Sequence, residues 1–124
     1  MDFITTVDEE RRRISIKSQC ELDMTIFGDI RSKIAGSLQN RESWDVLIDH
    51  SESSLVKLHF PEMKSAADQT SSEFQPLHIR RIAVVVDMAD FGMGRMWEIM
   101  LSQKGTAMTR VFKTLGEAES FLDG

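Results

Sequence analysis

A single cysteine in 124 residues leaves the chain without a disulfide framework. Cys20 has no intrachain partner, and no cysteine cluster exists to hold zinc, so the expected role is that of a small, inert thiol. Long apolar runs are also missing. No stretch approaches the ~20 residues of a membrane span, and the start MDFITTVDEERRR lacks the cationic-then-apolar order of a signal peptide, which points to a cytoplasmic protein. Basic charge is scarce as well: 15 Lys and Arg stand against 20 Asp and Glu, for a net charge of -5 and a pI near 5.2. That balance argues against a nucleic-acid partner, which needs many cations at phosphates. The one basic run, Arg11-Arg12-Arg13, follows Asp8-Glu9-Glu10 and reads as a solvated hairpin turn.

Several chemical signatures are absent too. No Gly-x-Ser-x-Gly elbow presents a serine. No Gly-Lys-Ser/Thr marks a phosphate loop, and His50, His59 and His78 lack metal-ligand spacing. Asp49-His50 followed by Ser51, Ser53 and Ser54 tempts a base-and-nucleophile reading, but neighbours on a strand point to opposite faces. Gly92 and Gly94 follow the apolar run RRIAVVVD, yet Trp97 stands where a dinucleotide fingerprint needs its third glycine. The glycine pair is therefore expected to make a strand-to-helix corner. No catalytic, cofactor-binding or metal-binding residue is assigned.

What remains is an ordinary globular composition, 41% hydrophobic and 28% charged, in one domain spanning residues 1–124. FITTV and RISIKSQ flank the charged run as a hairpin. Leu22, Ile26, Phe27, Ile30, Ile34 and Leu38 form a helical stripe in which Gly28 or Gly36 could allow close packing on a sheet. Residues 43–50 form a buried-looking strand, and Pro61 suits the first turn of a helix whose inner face is Met63, Ala66, Ala67, Thr70 and Phe74. Residues 81–87 are the strongest strand, apolar on both faces and so expected inside the sheet. Met93, Met96, Trp97, Met100 and Leu101 mark a third helix, residues 107–113 a fifth strand, and Thr114 with Glu117 a capping box before a last short helix. The predicted fold is α/β, a mixed five-stranded sheet in the order ββαβαβαβα with helices packed on it. Met88, Met93, Met96, Trp97 and Met100 form a candidate apolar ligand pocket, methionine being adaptable to irregular shapes.

The runs WDVLIDHSES, RRIAVVVD and RVFKTLGEAESFLDG, in this order, resemble the SpoIIAA-like family. Those small proteins are related to the STAS domains of sulfate transporters and anti-sigma-factor antagonists, and the resemblance covers residues 3–123. It implies a mixed sheet with helices on one main side and a non-enzymatic binding or regulatory module that recognises a protein partner or an apolar small ligand. It also implies a regulatory serine, phosphorylated in the antagonists in an Asp-Ser-x-Gly-like loop. The corresponding stretch is Asp49 to Ser54, where the glycine is missing and Ser53 or Ser54 is the candidate. The alternative is a small hydrolase or nucleotide-binding enzyme using the Asp49–Ser54 loop or the Gly92–Gly94 corner. Large side chains near element ends (Trp44, Phe60, Phe91 and Trp97) point to a homodimer. Its apolar interface would draw on the Met93–Leu101 helix or the Leu55–Phe60 loop.

Overall fold

The structure is a computed structural model that describes residues 2–55, 57–105 and 107–124. Its elements run β1 (Phe3–Asp8), β2 (Arg13–Ser18), α1 (Met24–Leu38), β3 (Glu42–His50), α2 (Phe60–Phe74), β4 (His78–Val86), α3 (Phe91–Ser102), β5 (Met108–Phe112) and α4 (Leu115–Asp123). The sheet order is β1-β2-β3-β4-β5, with β1 antiparallel to β2 and every other pair parallel. The protein is thus a single-domain α/β chain with a mixed five-stranded sheet, and β4 is an interior strand.

Alternation along the strands sorts two cores. Ile14, Ile16, Trp44, Val46, Ile48, Ile82, Val84, Val86 and Val111 face one side, where they meet Ile30, Ile34 and Leu38 of α1 and Met63 and Phe74 of α2. Phe91, Met93 and Trp97 of α3 pack against the same cluster. Because each parallel strand is laid beside the previous one, same-handed crossovers must put α1, α2 and α3 on one face. Leu47, Ala83 and Val85 point the other way, where Ala118 and Leu122 of α4 cover them. The helices therefore occupy both faces, three against one.

Local chemistry sets the element ends. Asp23 caps α1 by accepting from the Ile26 N–H at 2.9 Å. Glu62 accepts from the His59 N–H in front of Pro61, and Thr114 accepts from the Glu117 N–H at 3.3 Å. The C-terminal end of α4 is held by arginines. Arg13 donates to Asp123 at 2.7 Å, Arg80 to the Leu122 carbonyl, and Arg81 to the Phe121 carbonyl at 2.5 Å. Arg80 and Arg81 meet helix carbonyls that have no intrahelical partner, and Arg13 meets the Asp123 carboxylate.

Three expectations need correction. Arg11 and Arg12 are exposed in the hairpin turn, but Arg13 is buried at the start of β2, because Asp123 of α4 reaches it. Gly28 and Gly36 bring no helix close to the sheet. A Cβ on Gly36 would meet nothing within 4 Å, and one on Gly28 only the Arg31 side chain. Gly92 and Gly94 do not form the corner after β4. A 3-10 turn, Met88–Asp90, makes it, and both glycines lie inside α3. Gly94 instead permits close approach: a Cβ there would sit 2.8 Å from Val111 Cγ1 and 3.3 Å from Val86 Cγ2.

Candidate functional site

Ala66 of α2 and Gly94 of α3 border an apolar cavity of about 60 Å³ between the three-helix layer and the sheet. Ile30, Ile34, Ile48, Val84, Val86 and Trp97 supply much of its wall. Its two ionisable wall groups, Arg31 and His50, are already engaged. The Arg31 side chain, buried, pairs with Glu73 at 3.2 Å and donates to Gln69 at 2.5 Å. His50 is turned toward Ser18. The lining is therefore apolar, with its two ionisable groups engaged elsewhere.

The His50 environment follows from strand register. Ile14 lies beside Val46 and Ile16 beside Ile48, so two residues further on Ser18 and His50 share that face at the carboxyl ends of two parallel strands. Ser18 Oγ lies 2.6 Å from His50 Nδ1 and 2.5 Å from Ser53 Oγ. The Cys20 N–H donates to Ser53 Oγ at 3.3 Å. Three side chains from β2, β3 and the following loop thus form one hydrogen-bonded chain. Burial disfavours the imidazolium, and although the Asp49 charge opposes this, His50 is held at about 4. It is a neutral imidazole at pH 7, with one ring nitrogen free to accept. Phe27 sits against it, ring centroids 6.0 Å apart.

Neighbouring polar groups have separate duties. Asp49 points to the opposite face, where its Oδ1 accepts from the Ser51 N–H at 2.9 Å and the Ser51 hydroxyl at 2.6 Å, an Asx turn. The Ser53 N–H donates to the His50 carbonyl, and Ser54 pairs with Cys20 and Leu22 through its backbone. Desolvation, with the Asp2 charge adding to it, pushes the Cys20 thiol up, against thiolate chemistry. Among the described residues no group of three His, Cys, Asp or Glu could hold a metal ion, and no helix is long and apolar enough to cross a membrane.

The methionine group of the sequence is dispersed. Trp97 lines the cavity. Met93 and Met100 are half-buried, Met96 is exposed, and Met88 on the 3-10 turn is 72% exposed. Of the four aromatics singled out near element ends, Trp44 is buried, Phe91 and Trp97 are half-buried and Phe60 is 57% exposed. The Ser18–His50–Ser53 chain depends on the pairing of β2 with β3, which the neighbours of His50 along the chain do not reveal. The signal was there: Ser18 and His50 each continue an alternating apolar row that ends in a polar residue. The chain matches no protein-family model and no curated protein.

Proposed function

We propose that the chain is a non-enzymatic, SpoIIAA-like (STAS-related) binding module that takes an apolar small molecule between its three-helix layer and its sheet. One observation carries the reading: an apolar cavity of about 60 Å³ whose ionisable wall groups are already paired. Such a space rewards an apolar ligand and offers no convergent charged groups for a polar one. The resemblance to SpoIIAA-like proteins supports a module that binds rather than converts. Within it, the regulatory serine is assigned to Ser53, whose hydroxyl joins the loop to β2; a phosphate there would bring nearly two negative charges against that junction. Exposed Phe60 and Met88, near the carboxyl ends of the parallel strands, extend the proposal to a homodimer.

Titration of the folded protein with xenon, an apolar probe small enough for about 60 Å³, followed by xenon NMR, tests the reading. One saturable site is expected, and Ala66→Leu, which fills the cavity, should abolish it. Non-saturable binding, or saturable binding indifferent to Ala66→Leu, would contradict the assignment.

A further inference from the structure

The hydrogen-bonded chain at the carboxyl ends of β2 and β3 supports chemistry beyond ligand binding. Ser53 is half-buried and stands at the outer end of the chain, whereas Ser18 and His50 are buried behind it. With the imidazole proton on Nε2, Nδ1 accepts from the Ser18 hydroxyl and Ser18 Oγ accepts from the Ser53 hydroxyl. The Cys20 N–H occupies a lone pair of Ser53 Oγ without competing for its proton. The Asp49 carbonyl also lies 3.5 Å from Ser18 Oγ, but Nδ1 at 2.6 Å is the nearer acceptor, so every proton in the chain points from Ser53 toward the buried base. A hydroxyl backed by a base through oriented hydrogen bonds is the arrangement that activates a serine nucleophile.

We propose that Ser53 is an activated serine that accepts an acyl group from an activated ester, with Ser18 and His50 as positioning residues that carry its proton away. In the step, Ser53 Oγ forms a bond to the acyl carbon and the ester's alcohol oxygen leaves with the electron pair of the broken C–O bond. The Ser53 proton passes to Ser18 Oγ while the Ser18 proton passes to His50 Nδ1. The imidazolium then returns its Nδ1 proton to Ser18, which passes its own to the leaving oxygen; the acylated Ser53 Oγ has no proton to relay. The N–H groups of Ser51, Ser53 and Ser54 are all engaged, with Asp49, His50 and Cys20 respectively. No pair of them is left to hold a tetrahedral oxyanion. Acylation is therefore expected to be stoichiometric, with slow release.

The test is incubation of the full chain with p-nitrophenyl acetate, following p-nitrophenolate release and mapping the adduct by mass spectrometry. A burst of one equivalent is expected, with the acetyl group on Ser53 and no label there in Ser53→Ala. His50→Asn keeps an acceptor near the Nδ1 position but cannot take a proton, and should slow labelling several-fold, short of the roughly 100-fold of a base poised near the working pH because burial weakens this imidazole. Ser18→Ala should slow it equally, and Ser18→Thr, which keeps the hydroxyl, should restore it. A mere packing role would order these two the other way, since alanine fits the buried space with less disturbance than threonine. If the buried variants fail to fold, the wild-type map decides: acetyl spread over lysines, Ser51 and Ser54, or absent from Ser53, overturns the proposal. So does a Ser53 rate unchanged in folded His50→Asn.

Discussion

Gly94 shows how much one missing methyl decides. It lets α3 descend onto Val111 and Val86, and a Cβ placed 2.8 Å from Val111 Cγ1 would force one of them aside. Gly94→Ala should therefore lose about 1–3 kcal/mol of stability in urea unfolding, the usual scale of overpacking. Gly92→Ala, with nothing within 4 Å of the new methyl, should be neutral or gain up to about 1 kcal/mol from helix propensity. Sequence could not separate the two glycines. The apolar period first declares itself at Met93, so both looked like a corner, and only the approach of β5 tells them apart. His50 makes a second residue-scale prediction. Its folded value is about 4 against an ordinary 6.5. Above pH 6.5 both folded and unfolded chains carry it neutral, so it is silent there. As pH falls from 6.5 to about 4 the unfolded chain binds a proton that the folded one refuses, and stability drops by about 3 kcal/mol. Urea unfolding across that range should show this slope, and His50→Asn should remove that part of it which exceeds the carboxylate background.

Among the elements, β4 carries the sheet. Ile82 to Val86 are all buried, alternately against the three-helix layer and against α4. Val85→Asp should abolish the cooperative thermal transition, because a buried unpaired charge costs several kcal/mol against a total of about 5–15. This much was legible: a run apolar on both faces has to be interior, and the caps at Thr114 and Pro61 mark helix starts by chemistry that needs no tertiary context. The placement of α4 was not. Arg13 reads as part of a solvated turn and nothing in the sequence marks Arg80 or Arg81, and only folding brings the three to its carbonyls and to Asp123. The outer edge of β5 was equally hidden. Buried Glu98 of α3 accepts from the Val111 N–H at 2.8 Å, with Arg95 on its other oxygen at 2.7 Å. This occupies a ladder group that an edge strand would otherwise expose. Glu98→Ala should lose about 1–3 kcal/mol for the orphaned N–H, whereas Glu98→Gln keeps the acceptor and should lose less, measured by the same urea titration.

For the molecule as a whole, the two faces of the sheet differ in what they hold. On the α4 side Ala118 and Leu122 pack on Leu47, Ala83 and Val85, while the three-helix side holds the apolar cavity and, at the carboxyl edge of the sheet, the Ser18–His50–Ser53 chain. Phe60 at 57% and Met88 at 72% exposure leave apolar surface near that same edge, a composition that favours self-association. Sedimentation equilibrium at micromolar concentration should give a mass near twice the 14.1 kDa chain, and a single species at the chain mass would contradict the homodimer. The cavity itself is tested most directly by methyl NMR of the isotope-labelled protein under increasing xenon pressure, xenon being small enough to enter about 60 Å³. Saturable shifts at the methyls of Ile34, Ile48, Val84, Val86 and Val111 are expected, with Leu47, Val85 and Leu122 on the α4 side unmoved. Shifts confined to the α4 side, to exposed Met88 and Ile99, or absent altogether would contradict a ligand site between the helices and the sheet.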